Sequence, residues 1–267
     1  MNAERGSLLS LYSALAAHYA HEPHWWPLFS QQPQFEVIVG AVLVQQTRWE
    51  AVEGAVQRLI AHDWLSAAAL AAADTSELAA LIRPCAFHTQ KAPGLQSIAR
   101  YLLEHYGGDP AALLARERWA LRAELLALPR IGRETADTIM LYGGTHPVFI
   151  VDAYARRLFH RLDVLPGYDV LRAPYDKVQA VVEGELASEP QASHEFYWRF
   201  HALITEECIH HCLTKPRCDL PGAHRRFLDP RKCADHCRAC DGCPLRGMCQ
   251  AYQEQKIMCE DHGIEVQ

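Results

Sequence analysis

Two groups of residues in this chain are equipped for chemistry. The first is a run of four thiols, Cys233, Cys240, Cys243 and Cys249, spaced C-x6-C-x2-C-x5-C. Four thiolates on one loop can wrap a cubane iron–sulfur cluster, soft donors meeting a soft metal core. Zinc is the competing guest, but a four-cysteine zinc site usually takes two short CxxC pairs, and this run has one CxxC and two longer loops. The second group lies in the stretch Leu121 to Asp152, LRAELLALPRIGRETADTIMLYGGTHPVFIVD, where Asp152 follows Glu134 by 18 positions. A carboxylate such as Asp152 can stabilise developing positive charge and orient or deprotonate a water.

The elements that must position these groups can be read from periodicity. Leu121, Leu125 and Leu128 form one helical face, Pro129 stops that helix, and Arg130-Ile131-Gly132 makes a tight turn. A second helical run follows, with Ala136, Ile139 and Met140 on one side. The predicted unit is a short helix-hairpin-helix over residues 122–142. Its chemistry is that of the backbone. Gly132 permits close approach, and the unpaired N–H groups at the start of the second helix face an anion, for which a nucleic-acid phosphate is the natural guest. Arg130, Ile131, Gly132 and Arg133 are therefore the expected DNA contacts. The plain alternative is a generic αα-hairpin followed by an exposed aspartate.

LPRIGRETAD followed by VDAYARR resembles the helix-hairpin-helix and catalytic-aspartate signature of the endonuclease III superfamily of DNA glycosylases. The 18-residue interval is that family's spacing between its lyase lysine and its aspartate, and the cysteine spacing is that of its [4Fe–4S] members. Glu134 stands where the lysine would be. The resemblance extends over nearly the whole chain. It implies an all-α, two-domain helix-hairpin-helix DNA glycosylase fold. A six-helix domain would span residues 30–144. Residues 1–29 and 145–267 would make a second helical domain that ends in a cluster loop at 233–249. The implied cofactor is a [4Fe–4S] cluster held by Cys233, Cys240, Cys243 and Cys249, and the implied partner is double-stranded DNA carrying a damaged base, bound by a monomer.

The rest of the chain fits this frame. With 49% hydrophobic and 22% charged residues, the composition is that of an ordinary soluble globular protein. The net charge of −6 argues mildly against DNA, although local runs such as Arg225, Arg226, Arg231 and Lys232 are basic. No charged-then-apolar leader opens the chain, so a cytoplasmic, nucleoid-associated and unexported protein is expected, and ten cysteines then point to metal before disulfides. The apolar run Phe35 to Val44 is too short to span a bilayer, and no membrane partner is expected. By its β-branched content it could be a buried strand; the resemblance makes it a core helix whose end presents Gln45, Gln46 and Thr47. In the family a glutamine here fills the gap left by the flipped base, a role carried over to Gln46 with Gln45 beside it. Adenine-mismatch members carry a catalytic glutamate five residues before the second glutamine. Ala41 occupies that position here, which speaks against that activity.

Trp25 and Trp26 lie between prolines and, with Trp49 and Tyr154, are pocket candidates, packing at a seam being the alternative. Residues Trp49 to Tyr106 suggest three or four scaffold helices, broken near Asp63 and between Arg83 and Gly94, with Cys85 a buried thiol and His88 and Lys91 possible backbone contacts to DNA. Arg156, Arg157 and Arg161 either meet phosphate or solvate a helix, and Arg238 and Arg246 could brace phosphates from the cluster loop. Cys208, Cys212, Cys218 and Cys237 are extra thiols, unliganded by default, with a second metal at Cys208, His210, His211, Cys212 or Cys218 the alternative.

The chemistry turns on Glu134. A lysine there would attack C1′ and cleave the strand through a Schiff base; a carboxylate cannot. Asp152 alone supports hydrolysis, which works best on a leaving base that is already cationic. Together WWP, the glutamine-rich helix end, GRETAD and VDAYARR look most like the iron–sulfur methylpurine glycosylases. The expected activity is thus monofunctional release of an alkylated purine of the 3-methyladenine type without strand cleavage. Two alternatives stay open: an endonuclease III-like enzyme for oxidised pyrimidines with a weak or absent lyase step, and a DNA-structure-binding protein with little catalysis.

Overall fold

The computed structural model describes residues 7–19, 26–187, 192–213 and 242–253. Among them the regular structure is helical, and the chain divides into two compact units, His24–Val148 and Met1–Pro23 with Phe149–Gln267.

The His24–Val148 unit is built around α2 (Pro33–Leu43). Every residue from Phe35 to Leu43 is buried. An apolar run of this length does not distinguish a strand from a helix by pattern, and it is helical because it is enclosed on all sides. Around it pack α3 (Trp49–Ala61), α6 (His88–Tyr106), α7 (Pro110–Leu114), α9 (Arg133–Thr138) and the π-helical turn Ile139–Gly143 that continues α9. The short α4 (Ala67–Ala72) and α5 (Thr75–Leu81) are started by Ser66 and Asp74, whose side chains accept the first free amides, and both pack on α6. Helix α6 corrects the sequence reading of a break from Arg83 to Gly94. It begins at His88, after Phe87 takes a left-handed turn, and runs through Pro93, where only one intrahelical bond is forfeited. In the hairpin, α8 (Arg118–Ala127) and α9 are joined by a buried two-pronged ion pair, with Arg122 Nε and Nη2 at 2.7 and 3.2 Å from the Asp137 carboxylate oxygens.

The other unit packs α1 (Leu8–His18), α10 (Ala153–Leu162), α11 (Tyr175–Leu186) and α12 (His194–His210). Phe149, Phe159 and Phe200 fill its centre, with ring centroids 5.7 to 6.4 Å apart. The segment Phe149–Val151 is extended, apolar and buried, yet pairs with no strand. Its backbone groups go to side chains instead: Phe149 N donates to Glu183 Oε1 (2.9 Å), Gln179 Nε2 donates to Phe149 O (2.7 Å) and Val151 N donates to the Tyr175 hydroxyl (3.2 Å). That arrangement delivers Asp152 to the start of α10. The aromatic stripe of α12 is core: Phe196, Tyr197 and Phe200 are buried. No helix among the described residues is long and apolar enough to cross a membrane.

Asp137 is fully buried, so removing Arg122 takes a charged partner from a buried carboxylate. Arg122→Met should lower unfolding stability by about 3 kcal/mol or more in urea titration, and a change within error would show that the pair does not organise the hairpin.

Candidate functional site

In the His24–Val148 unit the exit of α2 and the hairpin turn are tied together. Gln45 Nε2 donates to Arg130 O (2.8 Å) and Thr135 Oγ1 (2.9 Å). Gln46 is exposed and left-handed, with φ 52°. Gln45, Gln46, Arg130, Ile131, Gly132, Glu134 and Thr135 line one open groove of about 540 Å3. The amide of Gln45 is thus committed to the fold, which corrects its reading as a free DNA contact, while that of Gln46 faces outward.

Lys91 also departs from its sequence reading. It is wholly buried, and its three ammonium protons meet three acceptors: Leu43 O (2.8 Å), Gln45 O (2.8 Å) and Thr47 Oγ1 (3.1 Å). Leu43 O is a carbonyl of the last turn of α2, at its negative dipole end, and Gln45 O also accepts from Thr47 Oγ1 (3.1 Å). Thr47 Oγ1 also accepts from Ala86 N at 3.0 Å. Burial pushes the Lys91 amine down from the usual lysine range. Nothing in its sequence neighbourhood separates it from an ordinary polar-loop lysine, because its acceptors lie more than 40 positions away.

At the hairpin the left-handed residue is Arg130 (φ 68°), not Gly132 (φ −93°). The Arg130 side chain turns along α6 instead of outward. It donates to Gln90 Oε1 (3.2 Å) and lies where a β-carbon on Gly94 would sit 2.5 Å from its Cγ, so Gly94 is the residue that makes room. A β-carbon on Gly132 would meet nothing within 4 Å. The fold therefore tolerates a side chain there, and any demand for glycine comes from outside the chain. Arg133 and Glu134 are exposed on the first turn of α9.

Trp26 packs over Gly40, with centroids 5.2 Å from Trp49 and 5.1 Å from Tyr142. Its loop is held by buried Glu36, whose carboxylate accepts from Phe29 N (2.9 Å) and Ser30 N (2.8 Å). Tyr142 was missed by sequence reasoning, since the π-helical turn shifts its register away from the 3.6-residue pattern. Trp25 lies outside the described residues. Ala41 is buried within α2.

In the other unit Asp152 is the N-cap of α10. Its Oδ1 accepts from Ala155 N at 2.7 Å, and its Oδ2 lies 3.6 Å from His201 Nε2, a neighbour from α12 that the sequence did not suggest. The carboxylate is buried, with 9% of the residue exposed. Burial and then the Asp152 charge push the neighbouring Tyr154 phenol up. The three arginines of α10 neither solvate the helix nor stand free. Arg156 donates to Ala173 O (3.0 Å), Arg157 to Cys212 O (2.8 Å) with its guanidinium over Tyr154, and Arg161 to Leu213 O (3.0 Å).

Of the cluster cysteines, Cys233 and Cys240 lie outside the described residues, as do Cys218, Cys237 and Arg238. Cys243 and Cys249 face one cavity. Arg246 stacks on Tyr252, with 4.7 Å to the ring centroid. Cys85 is a buried thiol, as expected, donating to Ala51 O, and burial pushes it up. His210 bonds Glu206 (3.2 Å). Among the described residues no three such side chains close on a single metal ion.

The model of the HhH-GPD superfamily of base excision DNA repair proteins matches residues 39–179. The chain belongs to that superfamily. A candidate DNA repair glycosylase of Methanocaldococcus jannaschii is 36% identical over 213 residues, covering 79% of this chain and 91% of the relative. Endonuclease III of Thermotoga maritima is 33% identical over 147 residues, 55% of this chain and 63% of that one. Among solved structures, the Helicobacter pylori 3-methyladenine DNA glycosylase bound to 1,N6-ethenoadenine superposes with a TM-score of 0.63 at 26% identity, covering 75% of this chain and 96% of that chain. A non-covalent endonuclease III–DNA complex gives 0.69 at 20% identity over 94% and 97%, a likeness of fold. This HhH-GPD protein is a base excision repair DNA glycosylase, with the superfamily's DNA-binding fold.

Two outcomes follow from the geometry. Gly132→Val should leave the unfolding midpoint unchanged while weakening binding to damaged and undamaged duplex alike, since phosphate contacts carry no base information; a loss confined to damaged duplex would contradict it. Lys91→Met should cost about 2–3 kcal/mol of stability in denaturant titration, because the bonds it removes are made by a charged donor to buried acceptors, and unchanged stability would show that the α2 exit holds without it.

Proposed function

We propose that this glycosylase is monofunctional and releases alkylated purines of the 3-methyladenine type, leaving an abasic strand intact. The observation that carries the reading is Glu134, an exposed carboxylate on the groove at the position where the resemblance puts a lyase lysine. A carboxylate cannot form a Schiff base with C1′, so β-elimination has no starting point there. The 26% identity to a 3-methyladenine glycosylase supports the substrate class.

The work then falls to Asp152. A hydrogen bond donated by the Ala155 backbone N–H fixes the carboxylate. When the N-glycosidic bond breaks, the electron pair leaves with the base, and an N-alkylated cationic purine departs neutral. Positive charge grows on the sugar, which Asp152 stabilises, and the carboxylate takes the proton of the water whose oxygen bonds C1′. Trp26 and Trp49, with Tyr142, offer aromatic faces to a cationic base, and Trp25 and Tyr154 complete the candidate set. Gln46 fills the vacated stack and its amide meets the orphaned partner base. Thiols of this chain would hold a [4Fe–4S] cluster, which would serve as a rigid brace.

The second reading, an endonuclease III-like enzyme for oxidised pyrimidines, draws on the 33% identity to the Thermotoga protein. One panel separates them. Duplexes bearing 3-methyladenine, 7-methylguanine, thymine glycol and uracil are incubated with the protein, with and without alkali and borohydride. Release of the alkylated bases, strand cutting only after alkali and no borohydride-trapped complex are expected; efficient trapping would overturn the monofunctional reading. Asp152→Asn should lose about 100-fold or more in turnover with DNA affinity equal or higher, since its charge repels phosphate in the ground state.

A further inference from the structure

Sequence spacing selects Cys233 as the first of four cluster thiols, yet the fold sets a different thiol beside Cys243 and Cys249. Cys212 lies just past the end of α12, its amide donating to Glu207 O (2.9 Å) and its carbonyl held by Arg157 Nε (2.8 Å). Cys212, Cys243 and Cys249 line one cavity, brought together from two chain segments. The walls between them are mainly apolar, from Leu158, Leu162 and Leu245, which suits a group that must be kept from water.

We infer that Cys212, Cys243 and Cys249 supply three of the four thiolates of the iron–sulfur cluster. This rests on the reading that the chain carries such a cluster. The donor chemistry fits: three soft sulfurs face a common space, and none is spent in a disulfide. The surroundings fit as well. Arg161 Nη1 lies 3.2 Å from Cys212 Sγ, and the Arg161 carbonyl accepts from Cys249 Sγ at 3.7 Å, so the cavity holds a cation against the charge of a thiolate-bound cluster. Cys243 Sγ donates to Glu207 Oε1 (3.1 Å), and the Tyr19 hydroxyl donates to Glu207 Oε2 (3.0 Å). Cys208, one helical turn earlier, has its thiol against both Tyr154 O (3.6 Å) and the Cys212 thiol, and is not among the cavity's lining residues.

The test is iron and acid-labile sulfide per chain, with absorbance at about 400 nm, in anaerobically purified full-length protein and in single serine variants. The unmodified protein should hold about four of each; absence of iron there would remove the cluster itself, a separate failure from a wrong ligand. Cys212→Ser should lose most of the iron and the absorbance, whereas Cys208→Ser should keep both. Iron retained in Cys212→Ser would overturn the assignment. Loss in Cys208→Ser as well would assign the effect to packing at the end of α12 and overturn it too.

Discussion

A single buried ammonium sets the geometry of the groove lined by the α2 exit and the hairpin. Where α2 ends, its last carbonyls and their negative dipole end would be left in an apolar interior without water, at a cost of several kcal/mol. Lys91 reaches in from α6 and meets Leu43 O, Gln45 O and Thr47 Oγ1 with one proton each. That satisfied end allows the chain to turn sharply, so that Gln46 can hold a left-handed backbone at an exposed position. It also brings Gln45 within reach of the hairpin, where its amide bridges Arg130 O and Thr135 Oγ1. Two adjacent glutamines thereby take opposite tasks, one holding the scaffold together and one left to face a ligand.

The aspartate is handled by a different device. Asp152 ends an extended segment whose backbone is satisfied by side chains of α11, and it begins α10 by accepting from Ala155 N. A capping bond to a backbone amide orients a carboxylate without neutralising it, which leaves its charge available for a sugar that becomes positive. The arginines that follow on α10 are drawn inward to the carbonyls of neighbouring segments, two of them to the end of α12. Formal charge along this helix therefore says little about its outer electrostatics. The same inward arginines line up the thiols there, so one helix supports both the candidate catalytic carboxylate and the candidate cluster site.

In the proposed reading it is Glu134, and not any feature of the fold, that separates this chain from a lyase. Endonuclease III and the 3-methyladenine glycosylase of H. pylori both superpose on it, so architecture does not choose between strand cleavage and simple hydrolysis. The choice lies in whether the side chain at one turn of α9 can act as a nitrogen nucleophile.

The sequence by itself determined the helical class, the hairpin, the position of Asp152 and the loss of the lyase amine. Each of these is written locally, in a 3.6-residue pattern, a Pro-x-x-Gly turn or the chemistry of a single side chain. The helix of Phe35 to Leu43 needed the family resemblance, because continuous burial erases periodicity. Only the tertiary structure decided what depends on partners far along the chain. It turned Lys91 from a surface lysine into a buried clamp, divided the labour of Gln45 and Gln46, laid Arg130 over Gly94 and set His201 beside Asp152. It also brought Cys212 to Cys243 and Cys249, which no spacing rule would select, since a spacing rule counts residues along the chain while a ligand set is chosen by distance across it.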